Sequence, residues 1–319
     1  MNGTGGVRRG LLVHAGALGD FLLSLRVVNA MRLAGIHRIT VLGRPSFTRL
    51  ARLGGAIDDA LDYESGGFHA LFREPREGTP CPSALAAALA GYECTVNMAA
   101  AGHAAFTRQL ADRTGGRVID LDPRPRAGDA AHVTEQWLAR LADAGLPADA
   151  PPPRLVWPAM RIREARPRWM DAPASTSPPV LMHPGSGGAA KCWPVECFVE
   201  LARSLQRSGR PVRWLLGPAE REGWSVSTQE RLAEVAPVCD ALELLELADA
   251  LAIAGHVVAN DSGVAHLAAA LDAPLTVVFG ATDPRCWRPL GERVRVAGEL
   301  GAWPSVEHVA DVVGRADTA

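Results

Sequence analysis

Short apolar runs alternate with longer stretches of helical periodicity through nearly the whole chain, and the pattern occurs twice, on either side of a proline-dense stretch. This alternation marks strand-helix-strand units and therefore parallel sheets. In the first half, Gly10 to His14, Arg38 to Leu42, Cys94 to Met98 and Val118 to Leu121 read as strands. Gly19 to Ala34 reads as a helix, with Leu22, Leu23, Val27, Ala30 and Met31 at helical spacing, and so do Ser83 to Ala90 and His132 to Ala144. From Leu146 to Pro179 prolines recur at a density that fits a connection between domains, with one helical patch around Arg161 to Met170. Alternation then resumes with strands at Val180 to His183, Val212 to Leu216, His256 to Ala259 and Leu275 to Phe279. Helices are expected at Pro194 to Arg207, Ala219 to Ala236, Leu242 to Ala254 and Ser262 to Leu271. The expected organisation is an α/β domain over 1–150, a linker over 151–179 and a second α/β domain over 180–304. A last helix within 305–319 is free to pack on either half, including back on the N-terminal domain.

Composition narrows the function classes. Thirty-three basic against 35 acidic residues leave a net charge of −2, so no bulk field recruits nucleic acid or an anionic membrane, and any anion site must be local. Six cysteines, at 81, 94, 192, 197, 239 and 286, form no Cys-x-x-Cys pair and have no histidine at zinc-ligand spacing, which suits a reducing cytoplasm. The apolar stretch from Leu11 to Leu25 is interrupted by His14 and Asp20 and is too polar to span a bilayer, and no cleavable leader is evident. The expectation is a cytoplasmic protein, with peripheral contact at the inner face of a membrane left open.

Four strand-to-helix junctions carry the chemistry. Gly16-Ala-Leu-Gly19-Asp20 follows the first strand and puts a carboxylate in the first turn of the next helix, at the sheet edge where ligands bind in such folds. A carboxylate there is also ordinary helix-dipole stabilisation. The spacing is not the dinucleotide fingerprint, and no acidic residue ends the second strand to hold a ribose. The second junction, His183-Pro-Gly-Ser-Gly-Gly-Ala-Ala-Lys191-Cys-Trp-Pro194, holds the only lysine of the chain. Backbone amides of a glycine turn plus a compact ammonium can hold a diphosphate. Lys191 is not followed by Ser or Thr, so the Walker ATPase pattern is absent. The third, Asn260-Asp-Ser-Gly-Val-Ala-His266, sets Ser262 and His266 four apart on one helical face, with Asp261 as a candidate cap, and Phe279-Gly-Ala-Thr-Asp-Pro284 follows the next strand. In the fourth, Gly217-Pro-Ala-Glu220, the glutamate could accept both hydroxyls of a ribose, and Glu222 competes for that role.

In this order the motifs resemble the family 9 glycosyltransferases, best known as ADP-heptose:lipopolysaccharide heptosyltransferases, from about Leu11 to Gly291. The resemblance implies the GT-B architecture: two Rossmann-like domains with parallel sheets facing a central cleft, acceptor mainly on the first and sugar nucleotide mainly on the second. It implies Asp20 as general base, and Lys191, Ser186, Gly187, Ser262 and Gly263 as contacts to the donor diphosphate. Asp261, His266 and Thr282 match contacts to the donor sugar, and Glu220 matches the contact to its ribose. The implied reaction is inverting, metal-independent transfer of a heptose or related sugar from an ADP-activated donor, with no cofactor. The implied acceptor is a hydroxyl of the lipopolysaccharide core, of another glycan or of a small natural product. A transferase using UDP or GDP sugars, or a non-catalytic nucleotide-sugar-binding protein, would carry the same motifs. Two positions depart from the family pattern: His14 replaces the usual basic residue of strand one, and Arg26 stands where a proline is usual. The family's cysteines near the C-terminus are missing. Arginines 161, 163, 166 and 168 are candidates for touching anionic headgroups.

Overall fold

The computed structural model describes residues 7–65, 67–72, 83–169 and 178–316. It divides into two compact units, Met1–Pro153 and Arg154–Ala319. In the first, strands β1 (Arg9–Val13), β2 (Arg38–Gly43), β3 (Asp59–Asp62), β4 (Cys94–Asn97) and β5 (Arg117–Asp120) form a parallel sheet in the order β3-β2-β1-β4-β5. Its helices are α1 (Leu18–Leu33), α2 (Pro45–Leu53), α3 (Ser83–Leu89), α4 (Ala104–Thr114) and α5 (Val133–Asp143). Leu11, Leu12 and Val13 of β1 are fully buried in succession, so both faces of the central strand are covered.

The second unit repeats the plan. After α6 (Ala159–Trp169) come β6 (Val180–His183), α7 (Val195–Arg207), β7 (Val212–Leu216), α8 (Pro218–Gly223), α9 (Val226–Ala233), β8 (Val238–Asp240) and α10 (Leu244–Ile253). Then follow β9 (His256–Asn260), α11 (Gly263–Ala270), β10 (Leu275–Val278), α12 (Pro284–Trp287), β11 (Val294–Ala297) and α13 (Val306–Ala316). The parallel order is β11-β10-β9-β6-β7-β8, in which the direction of winding reverses between β6 and β9. At such a switch point the loops leaving two neighbouring strands diverge and open a crevice at their carboxyl ends. In the first unit the same reversal falls between β1 and β4.

Several elements differ from expectation. Strands β3, β8 and β11 are three or four residues long, lie on or next to sheet edges and carry charged residues, so their periodicity is too weak to read. Helices α2 and α4, rich in arginine and threonine, were also hidden. The helix expected from Ala219 to Ala236 is two, because the Ser225 hydroxyl caps α9 by accepting from the Thr228 N–H at 3.2 Å. The last helix, which the sequence leaves open to pack on either half, is α13 and is seated in the second unit: Val309 and Val313, one turn apart, are fully buried in a core shared with Phe198 and Ala202 of α7.

The proline-dense stretch is structured where it is described. Asn29 of α1 donates to the carbonyls of Pro151 and Pro152, which ties those residues to the first unit. From Leu155, whose N–H donates to the Ala270 carbonyl at 2.7 Å, the chain belongs to the second. Asp249 of α10 accepts from the Trp157 indole at 2.8 Å and from two nitrogens of Arg161 at 2.8 and 2.6 Å, and Arg168 pairs with Glu246. Arg161 and Arg168 are thus paired with carboxylates of α10, although the Arg168 side chain stays 61% exposed. Cys81, in the first domain, and linker residues 170–177, Met170 among them, lie outside the described residues. The five cysteines that are described are free thiols. Among the described residues no helix is long and apolar enough to cross a membrane.

Candidate functional site

In the second unit the loops leaving β6 and β9 meet over one carboxylate. Asp261 sits one residue past β9 and is 6% exposed, yet its Oδ2 takes the Lys191 ammonium at 3.0 Å and the Thr282 hydroxyl at 2.8 Å. Its Oδ1 lies 4.0 Å from Nε2 of His266, one turn into α11, and its backbone carbonyl accepts from the Ser186 hydroxyl at 2.7 Å. Residues from three separate stretches, the loop after β6, the start of α11 and the loop after β10, therefore converge on Asp261. It is not the cap of α11: Ser262 takes that place, with its Oγ 3.4 Å from the Ala265 N–H. That division of labour leaves the Asp261 carboxylate directed at the ammonium, while 41% of the Lys191 side chain stays open. Gly263 is the first residue of α11, so its amide lies in the helix's opening turn.

Asn260 was legible only as the start of a motif, and the structure gives it a task. Fully buried, it donates from Nδ2 to the carbonyls of Pro184 at 2.7 Å and Gly185 at 3.3 Å, and accepts the Trp193 N–H on Oδ1 at 3.0 Å. One side chain thereby clamps both stems of the loop that carries Lys191. The glycines of that loop differ in purpose. A Cβ on Gly185 would lie 1.8 Å from Glu220 Oε1, so internal packing demands glycine there. Gly187 and Gly188 face open space, with no atom within 4 Å of a Cβ, so their backbone is approachable from outside.

Glu220 is 5% exposed, and its Oε2 accepts the Gly217 N–H at 2.7 Å, which caps α8 while its other oxygen presses on Gly185. It joins the loop after β7 to the glycine loop, whereas Glu222 is exposed. Beneath the loop, His183 shares its Nδ1 proton with the Leu215 carbonyl at 3.0 Å, and burial pushes its pKa below the ordinary value against the opposing pull of that carbonyl and Glu220.

In the first unit Asp20 is partly buried in the first turn of α1, where the helix dipole favours a negative charge. Gly16 lies between it and His14: a Cβ there would stand 3.0 Å from the imidazole and 3.4 Å from the Asp20 Cβ. His14 is 2% exposed, and burial, helped by the charge of Arg44, lowers its pKa to about 4. It is therefore neutral at physiological pH and does not replace a cation. The charge near this turn comes instead from Arg44, exposed at the end of β2 with its guanidinium 5.8 Å from the Phe47 ring. An Arg-Pro pair where a capping residue is usual was the available signal for it. Arg26 has another use: it is bonded to Ala150, Thr134 and Glu135, and joins α1 to α5 away from the glycine turn.

Residues 115–311, more than half of the chain, match the sequence profile of Glycosyltransferase family 9 (heptosyltransferase). The chain belongs to glycosyltransferase family 9. Lipopolysaccharide heptosyltransferase 2 of Salmonella typhimurium is 31% identical over 192 residues, which make up 56% of this chain and 53% of that protein. The chain thus spans about half the length of the curated relatives of this kind that it matches. Among the solved structures that share its fold are a family 9 glycosyl transferase from Veillonella parvula DSM 2008, at TM-score 0.74 and 17% identity over 98% of both chains, and an E. coli ADP-heptose lps heptosyltransferase II. The second aligns at TM-score 0.72 and 19% identity over 97% of this chain and 98% of that one. The fold of this family 9 chain is accordingly GT-B, each unit a Rossmann-like sheet. The profile match takes in the whole Lys191 and Asp261 cluster, whereas Asp20 precedes it. Among the described residues no group of three or more His, Cys, Asp or Glu side chains is placed to hold a metal ion.

Proposed function

We propose that the protein is an inverting glycosyltransferase that moves a heptose from an ADP-activated donor to an acceptor hydroxyl of the lipopolysaccharide core, acting on the cytoplasmic side and without a metal. The observation that carries this reading is the convergence of Lys191, Ser186, Thr282 and His266 on Asp261 at the switch point of the second sheet, beside the approachable glycines 187 and 188. A diphosphate laid along that loop meets backbone amides, the Lys191 ammonium and the start of α11 at Ser262 and Gly263. Asp261, Thr282 and His266 then face the donor sugar, and Glu220 the ribose. Similarity to a Salmonella lipopolysaccharide heptosyltransferase and to an E. coli ADP-heptose lps heptosyltransferase favours ADP-heptose and lipopolysaccharide over other donors and acceptors.

In the proposed reaction Asp20 accepts the acceptor's hydroxyl proton as that oxygen forms its bond to the anomeric carbon. The bond from that carbon to the diphosphate oxygen breaks on the opposite face, the configuration inverts and ADP leaves. Lys191 and the loop amides stabilise the charge that grows on the leaving oxygen. Calorimetric titration with ADP, UDP and GDP in EDTA, followed by mass spectrometry of ADP-heptose turnover, tests the reading. ADP should bind tightest and EDTA leave turnover unchanged. Asp20→Asn should bind donor normally and lose transfer, and full activity in that variant removes Asp20 as the base.

A further inference from the structure

We propose that Trp303 is a wall of the donor-sugar subsite, presenting its indole to the C–H face of the sugar ring. The proposal rests on the donor assignment above and adds a residue that no motif singled out. Trp303 stands on a short hairpin that leaves β11 at the carboxyl edge of the sheet, the same edge that carries Asp261. A Cβ on Gly280 would lie 2.2, 2.4 and 2.5 Å from Cδ2, Cε3 and Cε2 of the indole. Those three atoms meet at the ring fusion, so the Gly280 Cα–H points into the ring face and the indole lies flat on the backbone there. Gly280 is two residues before Thr282, whose hydroxyl donates to Asp261. With one face seated on Gly280, Trp303 is still 37% exposed, although the core of the unit accommodates Trp193 and Trp214 almost completely.

The mounting is rigid. The Gly301 N–H donates to the Gly280 carbonyl at 2.7 Å, Glu299 and Ala302 pair as an antiparallel bridge, and Gly298 adopts φ +89° where a Cβ would strike the Phe279 carbonyl. At the other end the Pro304 carbonyl accepts from the Trp193 indole N–H at 3.1 Å, and Trp193 in turn belongs to the Lys191 loop held by Asn260. The hairpin is thus bonded both to the loop bearing Thr282 and to the loop bearing Lys191. A flat apolar surface fixed between two polar loops suits a ligand with a polar rim and an apolar face, which describes a pyranose ring.

The test separates the sugar from the nucleotide. Dissociation constants for ADP and for ADP-heptose are measured calorimetrically on wild type, Trp303→Ala and Trp303→Phe. Trp303→Ala should weaken ADP-heptose about 3- to 10-fold while ADP binding stays within about twofold, and Trp303→Phe should recover most of the loss. Equal weakening of both ligands means that the indole only props the Gly280 loop and overturns the proposal, as does normal binding of both. A wild type that binds neither ligand overturns the donor assignment and this inference with it, whereas wild-type binding with an unselective Trp303→Ala overturns this inference alone.

Discussion

Replacing Asn260 by alanine should both destabilise the second unit and release the loop that carries Lys191, for which a diphosphate contact is proposed. The side chain makes three hydrogen bonds, at 2.7 and 3.0 Å to Pro184 and Trp193 and a longer one at 3.3 Å to Gly185. Trp193 is 1% exposed and Pro184 is buried, so the Trp193 N–H and the Pro184 carbonyl lose their partners out of reach of solvent. An orphaned buried group costs about 1–3 kcal/mol, so the two strong bonds predict a loss of about 2–6 kcal/mol. Water entering the vacated space moves the cost toward the lower end. Both loop stems are released together, so Lys191 no longer has a fixed position and ADP affinity should drop at least about tenfold, equivalent to ~1.4 kcal/mol. Asn260→Asp sharpens the prediction. Its carboxyl retains the acceptor for Trp193 but must carry a proton to face two carbonyl oxygens, so this variant should gain stability relative to Asn260→Ala as pH falls. Urea unfolding followed by tryptophan fluorescence, with calorimetric ADP titration, measures both effects. An alanine variant within about 0.5 kcal/mol of wild type and with unchanged ADP affinity would refute the clamp.

Other consequences follow from single residues. Buried His256 in β9 has its pKa lowered to about 3 by burial, with Arg210 and Arg293 adding to the effect, and His14 in the first unit is lowered to about 4. The unfolded chain binds protons that these folded sites refuse, so stability is full above pH ~6.5 and falls by up to about 1.4 kcal/mol per pH unit per histidine below it. For His256 the loss levels off near pH 3. Urea melts at pH 7.5, 6.0 and 4.5 should show a shallower decline in His256→Gln than in wild type. Gly185→Ala should cost about 1–3 kcal/mol, because a Cβ 1.8 Å from Glu220 Oε1 expels the carboxylate that caps Gly217. Gly187→Ala, facing open space, should leave stability within about 0.5 kcal/mol, so any loss of ADP affinity by titration reports on ligand approach alone. Lys191→Arg should weaken ADP, because a planar fork cannot occupy the point where the ammonium meets Asp261 at 3.0 Å, and unaltered ADP affinity would refute this.

The central strands β1, β6, β7, β9 and β10 were readable to within a residue because they are almost wholly buried and mainly apolar, with Arg213 inside β7 and Thr276 inside β10 as the polar interruptions, and turn residues bound each run. Strands β3, β8 and β11 escaped because they are short and carry charged residues. The candidate residues at strand ends drew notice for a related reason: glycine, aspartate and lysine interrupt an otherwise apolar junction and stand out. Asn260 was visible in its motif but its task was not, since its partners Pro184 and Trp193 are 76 and 67 residues away. Trp303 gave no local sign at all, for its seat is a glycine in another loop.

By itself, then, the order of apolar runs and helical periods determined two parallel α/β halves, and the identity of the residues at their strand ends marked the junctions for which a phosphate-bearing ligand is proposed. Tertiary structure alone decided what those residues face. It turned Asp261 from a helix cap into the partner of Lys191, made His14 a neutral buried group by desolvation, engaged Arg26 in joining helices and seated α13 on the second unit. Each of these outcomes depends on which groups distant in sequence exclude water from one another, and local residue type carries no record of that.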